Sequence, residues 1–314
     1  MPTINVNDAY ILDETGAEVD KATGLFTKNE NATTGEKQMA RLNIAAGGSN
    51  PNLLDNAYFV GGGSQLGDGH FPINQRGQTS YTGTGASSID RWRLSNGNTS
   101  ISLSASGMTI YTNGSGYGYG GQNLETEFAL DGTYTFSVLL ADGTLYSTPT
   151  NQNLELPSGL LFYFANNKSV NWRNPANTTC ETIAAMKLEK GTVSTLANDT
   201  PPDFGDELQK CQRYLWHKTF GGNTQIGCGP AIDASTAIID VVMPASMRAT
   251  PTITFTANVL LVGNGGVVID ASVAGINEYD NHLRLVISAT GLTAYQVYSF
   301  LTTTTTTMTV SAEL

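Results

Sequence analysis

Residues 114–121, GSGYGYGG, are the first place in this sequence where residue types and spacing point to chemistry. Tyr117 and Tyr119, separated by single glycines, project from the same side of an extended chain, and Tyr111 lies close by in sequence. Aromatic rings hold sugars through C–H contacts on their faces, with the hydroxyl as a polar handle, so a flexible Tyr–Gly loop is a candidate glycan platform. The competing reading is a loop whose tyrosines cover a sandwich edge or a neighbouring subunit. A phosphate-binding loop would need a following Lys-Ser/Thr and a helix, and neither is there. Trp172, in the polar run 166–173, is expected in a loop and is a second candidate ligand contact. Trp92 alternates with Arg91 and Arg93 and reads as core. The polar stretch 278–282 is a loop tip that could meet a receptor or simply be solvated.

Catalytic constellations are missing from the pattern. There is no nucleophile elbow, no HExxH and no Ser/His/Asp arrangement. Glu125 and Glu127 would share one strand face, but glycan hydrolysis depends on carboxylate separation, which spacing in sequence does not give. Cys180, Cys211 and Cys228 form no CxxC, and His70, His217 and His282 are far apart, so neither a metal nor a cofactor is expected. The cysteines read as buried free thiols of a protein made in a reducing compartment. The expectation is a non-enzymatic protein.

The elements that must position these residues are strands. Thirty-four glycines, many Thr, Ser and Asn, and 14% charged residues suit an all-β protein with many turns, and 314 residues allow about two domains. The formal charge of −11, from 27 acids against 16 bases with no basic run, repels phosphate backbones and excludes nucleic acid as a partner. No apolar run approaches the roughly 20 residues of a membrane helix, so no membrane insertion is expected. The start, MPTINVNDAY, carries no basic n-region, so no secretory signal is expected.

In chain order, residues 1–50 read as short extended pieces followed by a helix over 33–46. Thr33 and Glu36 form a capping box there, and Met39, Leu42 and Ile44 face a partner. Residues 51–202 read as a β-sandwich. Its strands fall near 101–103, 108–111, 127–130, 134–139, 160–164 and 182–188, with turns at Asp131-Gly132 and Asp142-Gly143. Met186 and Leu188 alternate with Lys187 and Glu189, the pattern of a half-buried strand. Two prolines at 201 and 202 stop it, and Asp203 caps a short linker helix with Phe204, Leu208, Cys211 and Leu215 on one face. Residues 203–314 then supply a second β-sandwich, with strands near 237–243, 252–261, 267–273, 283–288, 294–301 and a Thr-rich strand at 302–307.

Several ordered motifs resemble those of bacteriophage fibre proteins. Residues 40–46 (ARLNIAA) resemble an element that follows the attachment segment of tail fibres and tail spikes. NLLDNAYF at 52–59, FPINQRG at 71–77, IDRW at 89–92 and AMKLEKG at 185–191 resemble a carbohydrate-binding-like jelly-roll module of phage structural proteins, over about residues 51–200. The crossing 243–251 and the ending SAEL resemble C-terminal domains of phage fibres. The resemblance implies a homotrimeric head or tail fibre, localised to the virion. Its N-terminal segment would join other virion proteins, and its β domains would adhere to a bacterial surface glycan or protein. Related modules bind calcium through an acidic residue after the opening Phe; Val60 stands there, so calcium is not carried over. The alternatives are an architectural decoration or connector, and a glycan-degrading module.

Overall fold

The computed structural model describes residues 3–5, 10–12, 18–19, 50–61, 71–83, 88–263, 266–279 and 282–313. The expected helix 33–46, with Met39, Leu42 and Ile44, lies outside the described residues, as do Asp280 and Asn281 of the polar loop tip. The regular structure among the described residues is nearly all strand, with one short α-helix and a 3-10 turn at Leu196–Asn198, as composition predicts.

Two antiparallel sheets form the first unit. Six strands run in the order Leu145–Pro149, Tyr134–Leu140, Ile183–Lys190, Gly107–Thr112, Thr99–Ser104 and Ser80–Thr82. Five more run in the order Leu154–Glu155, Leu161–Ala165, Ser169–Asn174, Gly118–Asn123 and Arg93–Leu94. Alternate residues of each strand turn inward, so Ile101, Met108, Phe136, Val138 and Leu188 of one sheet meet Leu94, Phe162, Val170 and Trp172 of the other in a single core. Phe136 and Phe162 bridge the layers with ring centroids 5.1 Å apart. Each such side chain contributes about 1.5–3 kcal/mol by leaving water.

The strand expected at 127–130 is a turn region. Phe128 alone of its apolar residues is buried, and Asp131 caps the following turn through the Thr133 amide. The expected half-buried strand 182–188 is instead buried on both faces. Its polar side is covered by the linker. Lys187 donates to Thr195 Oγ1 at 2.6 Å and pairs with Asp199 and Glu189, all three charges being buried.

The linker ends in the helix Phe204–Gln212, capped as expected by Asp203, whose side chain accepts from the Asp206 amide at 3.0 Å. The helix stops one turn short of Leu215, which opens the strand Leu215–Phe220. Its buried face includes Glu207, whose carboxylate accepts from the backbone amide of Asn56.

In the C-terminal unit, where a second β-sandwich is expected, one layer is a sheet that closes into a barrel. Its order is Gln225–Pro230, Thr236–Val242, His282–Ser288, Val268–Tyr279, Val259–Val262 and Val297–Thr302. A three-stranded sheet, Leu215–Phe220, Thr306–Ser311 and Thr252–Phe255, packs Met308 and Val310 into the same core. The stretch 252–261 therefore divides between two sheets. The Thr-rich run is also broken: 303–305 bend, and buried Thr302 donates to the Gly221 carbonyl at 2.6 Å. Hydroxyl pairing across strands does occur, between Thr219 and Thr307 at 3.0 Å.

The stretches NLLDN, FPINQRG and IDRW converge on one polar knot where the first unit meets the strand Leu215–Phe220 of the second, a joint held by side chains from both. Asn56 holds the backbone of Ile73 on both sides and donates to the Asp90 carbonyl at 2.8 Å, while Trp92 Nε1 donates to the Asn56 carbonyl at 2.8 Å. Gln75 donates to Asp90 and to the carbonyl of Leu215 in the next unit. Arg91 stacks 3.4 Å over the Tyr214 ring and Arg76 pairs with Glu313, so the two units are bolted together.

Candidate functional site

Residues 118–121 of the Tyr–Gly run are strand, which corrects the expectation of a loop there, while 114–117 lie outside any strand. Along Gly118–Asn123, Gly118 and Gly120 point inward and Tyr119 outward. A Cβ on Gly120 would lie 2.2 Å from Trp172 Cζ2, so the glycine is what admits the indole. Trp172 is fully buried in Ser169–Asn174 and packs on Trp92 with centroids 5.7 Å apart. It stands in the core of the sandwich and not in the loop that the sequence suggests. The polar run misleads because only Asn166 and Asn167, both at positive φ, turn the chain; from Ser169 on, strand alternation sends Val170 and Trp172 inward.

Tyr111 is also separated from the other tyrosines. It is exposed on the outer side of the six-stranded sheet, the opposite face of the sandwich. Tyr117 and Tyr119 stay together, 47% and 37% exposed, with ring centroids 6.3 Å apart.

Strand register supplies the neighbours that sequence spacing did not show. On the outward side of the five-stranded sheet, Tyr119 stands beside Arg173, which stands beside Leu161 and then Glu155. The next outward row runs Arg93, Gly121, Asn171 and Tyr163. Arg173 lies 5.2 Å from the centre of the Tyr117 ring, a cation–π distance that holds the guanidinium at the face. Burial pushes the Tyr163 phenol up; nearby Tyr119 adds to this, and Arg173 and Arg93 oppose it. Three tyrosines, two arginines and an asparagine thus share one side of a rigid sheet. Arg93, Tyr163, Asn171 and Arg173 had no signal in the sequence beyond alternation within strands whose pairing was unknown.

The third outward row, Ala165, Ser169 and Asn123, ends at a cleft of about 570 Å³. Glu125, Lys168, Arg213 and Arg248 line it. Glu125 and Glu127 do not share a strand face. Glu125 pairs with Arg213 at 3.2 Å and Arg248 at 3.7 Å, and Glu127 with Lys168 at 3.1 Å. Desolvation pushes the Glu125 carboxyl up, but a hydrogen bond from Tyr214 and the charge of Arg213 outweigh it and hold the carboxyl below its ordinary range.

Among the described residues no group of three or more His, Cys, Asp or Glu side chains could hold a metal. Cys180 and Cys211 are buried, and burial pushes the Cys180 thiol up to about 12; Cys228 is exposed, contrary to expectation. Among the described residues no helix is long and apolar enough to cross a membrane. No family model matches the chain, and no curated protein or solved structure is significantly similar to it.

Proposed function

We propose that this is a phage virion fibre protein, homotrimeric, that adheres to a bacterial surface glycan through its β-sandwich. The observation that carries the reading is the outward face of Tyr117, Tyr119, Tyr163 and Arg173 on a closed-packed sheet. Aromatic faces stack on the apolar sides of pyranose rings, and Asn171 and the phenols supply directional hydrogen bonds. The bolted joint fixes where the C-terminal barrel sits relative to that face, as a projecting fibre requires. Residues 1–50 would attach the chain to other virion proteins, and three copies would turn weak contacts into avid adhesion. No covalent step is involved.

Purified full chain on an array of bacterial surface glycans is expected to bind, and Tyr119→Ala to remove most of that binding with the unfolding midpoint unchanged. Sedimentation equilibrium is expected to return three times the chain mass of 33.3 kDa. A monomer at micromolar concentration, or full binding by Tyr119→Ala, overturns the reading.

A further inference from the structure

We propose that the glycan held by this face is acidic, with its carboxylates received by Arg93 and Arg173. This rests on the glycan-binding reading and adds the chemical class of the ligand.

Arg76 pairs with Glu313, Arg91 with Asp55, Arg213 and Arg248 with Glu125, and Arg284 with Asp240. Among the described residues, Arg93 and Arg173 alone of the arginines have no carboxylate partner, and they stand on the same sheet face on either side of the Tyr119 strand. A chain with 27 acids and 16 bases has ample carboxylate to spend on every arginine, so two left over together are a specific arrangement. Arg93 Nε is shielded from solvent without a hydrogen-bond partner, although donors in that state are normally satisfied. Arg173 is held in place by the Tyr117 ring, so its planar fork is preorganised for a carboxylate.

The net charge of −11 opposes an anionic ligand only at long range. At physiological salt, screening acts over about 8 Å, so the nearest groups decide. Glu155, the acid in the Arg173 row, stands two strands away, roughly 10 Å at ordinary sheet spacing. The two arginines are separated by two strands laterally and two residues along the strand, roughly 12 Å between Cα atoms. One monosaccharide reaches one guanidinium. A chain with carboxylates on successive sugars, crossing Tyr119, reaches both.

The test uses the full chain on oligosaccharides bearing uronic or sialic acids, printed beside the same compounds after carboxyl reduction to neutral sugars, and beside sulfated oligosaccharides. Titration calorimetry follows on the best binder. Carboxylated members are expected to bind at least tenfold more tightly than their reduced counterparts, with affinity falling as sodium chloride rises. Arg173→Gln is expected to lose about tenfold and to abolish the preference. Arg173→Lys should recover part of the loss, and both variants should keep the wild-type unfolding midpoint because the residue is exposed. Equal binding of reduced and carboxylated forms overturns the acidic assignment and leaves glycan binding standing. Sulfated members bound as tightly through the same arginines overturn the carboxylate assignment. No binding to any member overturns both this inference and the reading beneath it.

Discussion

Gly120→Ala tests whether the tyrosine face owes its geometry to the buried indole behind it. The added methyl would sit 2.2 Å from Trp172 Cζ2 and 2.6 Å from the Arg93 carbonyl oxygen, where carbon contacts normally begin near 3.5 Å. Something must move by about 1 Å. The indole is fixed by Trp92 on one side and by the sheet register opposite Phe162 on the other, so it does not move freely. The Gly120 backbone is not in the left-handed region, which makes the cost steric. Overpacking of this kind costs about 1–3 kcal/mol, and a clash this short against two neighbours belongs at the upper end. Urea unfolding followed by tryptophan fluorescence should show that loss. Trp172→Phe removes the atom in closest contact, so Gly120→Ala made in that background should cost roughly 1 kcal/mol less, the remainder reflecting the Arg93 carbonyl. Gly116→Ala is the control. Its methyl would meet nothing closer than Asn98 Nδ2 at 3.6 Å and should change stability by less than about 0.5 kcal/mol. A neutral Gly120→Ala, or a cost unchanged by Trp172→Phe, refutes the argument that the glycine exists to seat the tryptophan.

Other consequences concern the joint. Burial pushes the Asp90 carboxyl up to about 7, against hydrogen bonds from Gln75 and the charge of Arg76 that pull it down. Its folded value exceeds its unfolded value of 3.8, so its contribution to stability is fully present below 3.8 and is lost as pH rises through about 7, roughly 4 kcal/mol in all. Wild type is expected to lose unfolding free energy between about pH 4 and 7, and Asp90→Asn should flatten that fall; an unchanged slope refutes the assignment. Lys187→Met leaves Glu189 and Asp199 buried without their cation and should cost about 3–5 kcal/mol in urea, with cleavage in the linker 194–199 appearing under limited proteolysis. Arg91→Lys keeps the charge but loses the stack on Tyr214 and the 2.6 Å bond to the Asn123 carbonyl, about 1–3 kcal/mol. Calorimetry should then resolve two transitions where wild type shows one.

The fold was legible wherever local signals agree with their surroundings. Asp203 capped the helix, the turns at Asp131 and Asp142 formed, and Trp92 went to the core, because capping, turn chemistry and alternation act within a few residues. What failed depends on partners far along the chain. The strand with Lys187 and Glu189 reads as half-exposed, and it is buried only because the linker returns over it. The barrel closure is a pairing of Gln225–Pro230 with Val297–Thr302, which no local pattern contains. Arg173 and Tyr119 became neighbours through register across residues some fifty positions apart. The buried charge of Glu207 was hidden for the same reason, since its partner is the amide of Asn56.

The two misreadings of the candidate site have one cause. A run of alternating tyrosine and glycine reads as a flexible loop, and a tryptophan in a polar stretch as a loop residue. Each supplies what the other lacked: Gly120 of one strand leaves the volume that Trp172 of the next strand fills. The pairing of Gly120 with Trp172 therefore explains the glycine that follows Tyr119. A larger inward residue would displace the indole, and a smaller residue in place of the indole would leave a cavity under the face. The outward rings and guanidinium consequently stand on a packed layer, and a ligand meets them already placed. Preorganisation of that kind lowers the conformational entropy lost on binding, which matters most for a contact whose individual strength is modest and whose effect is multiplied by copy number.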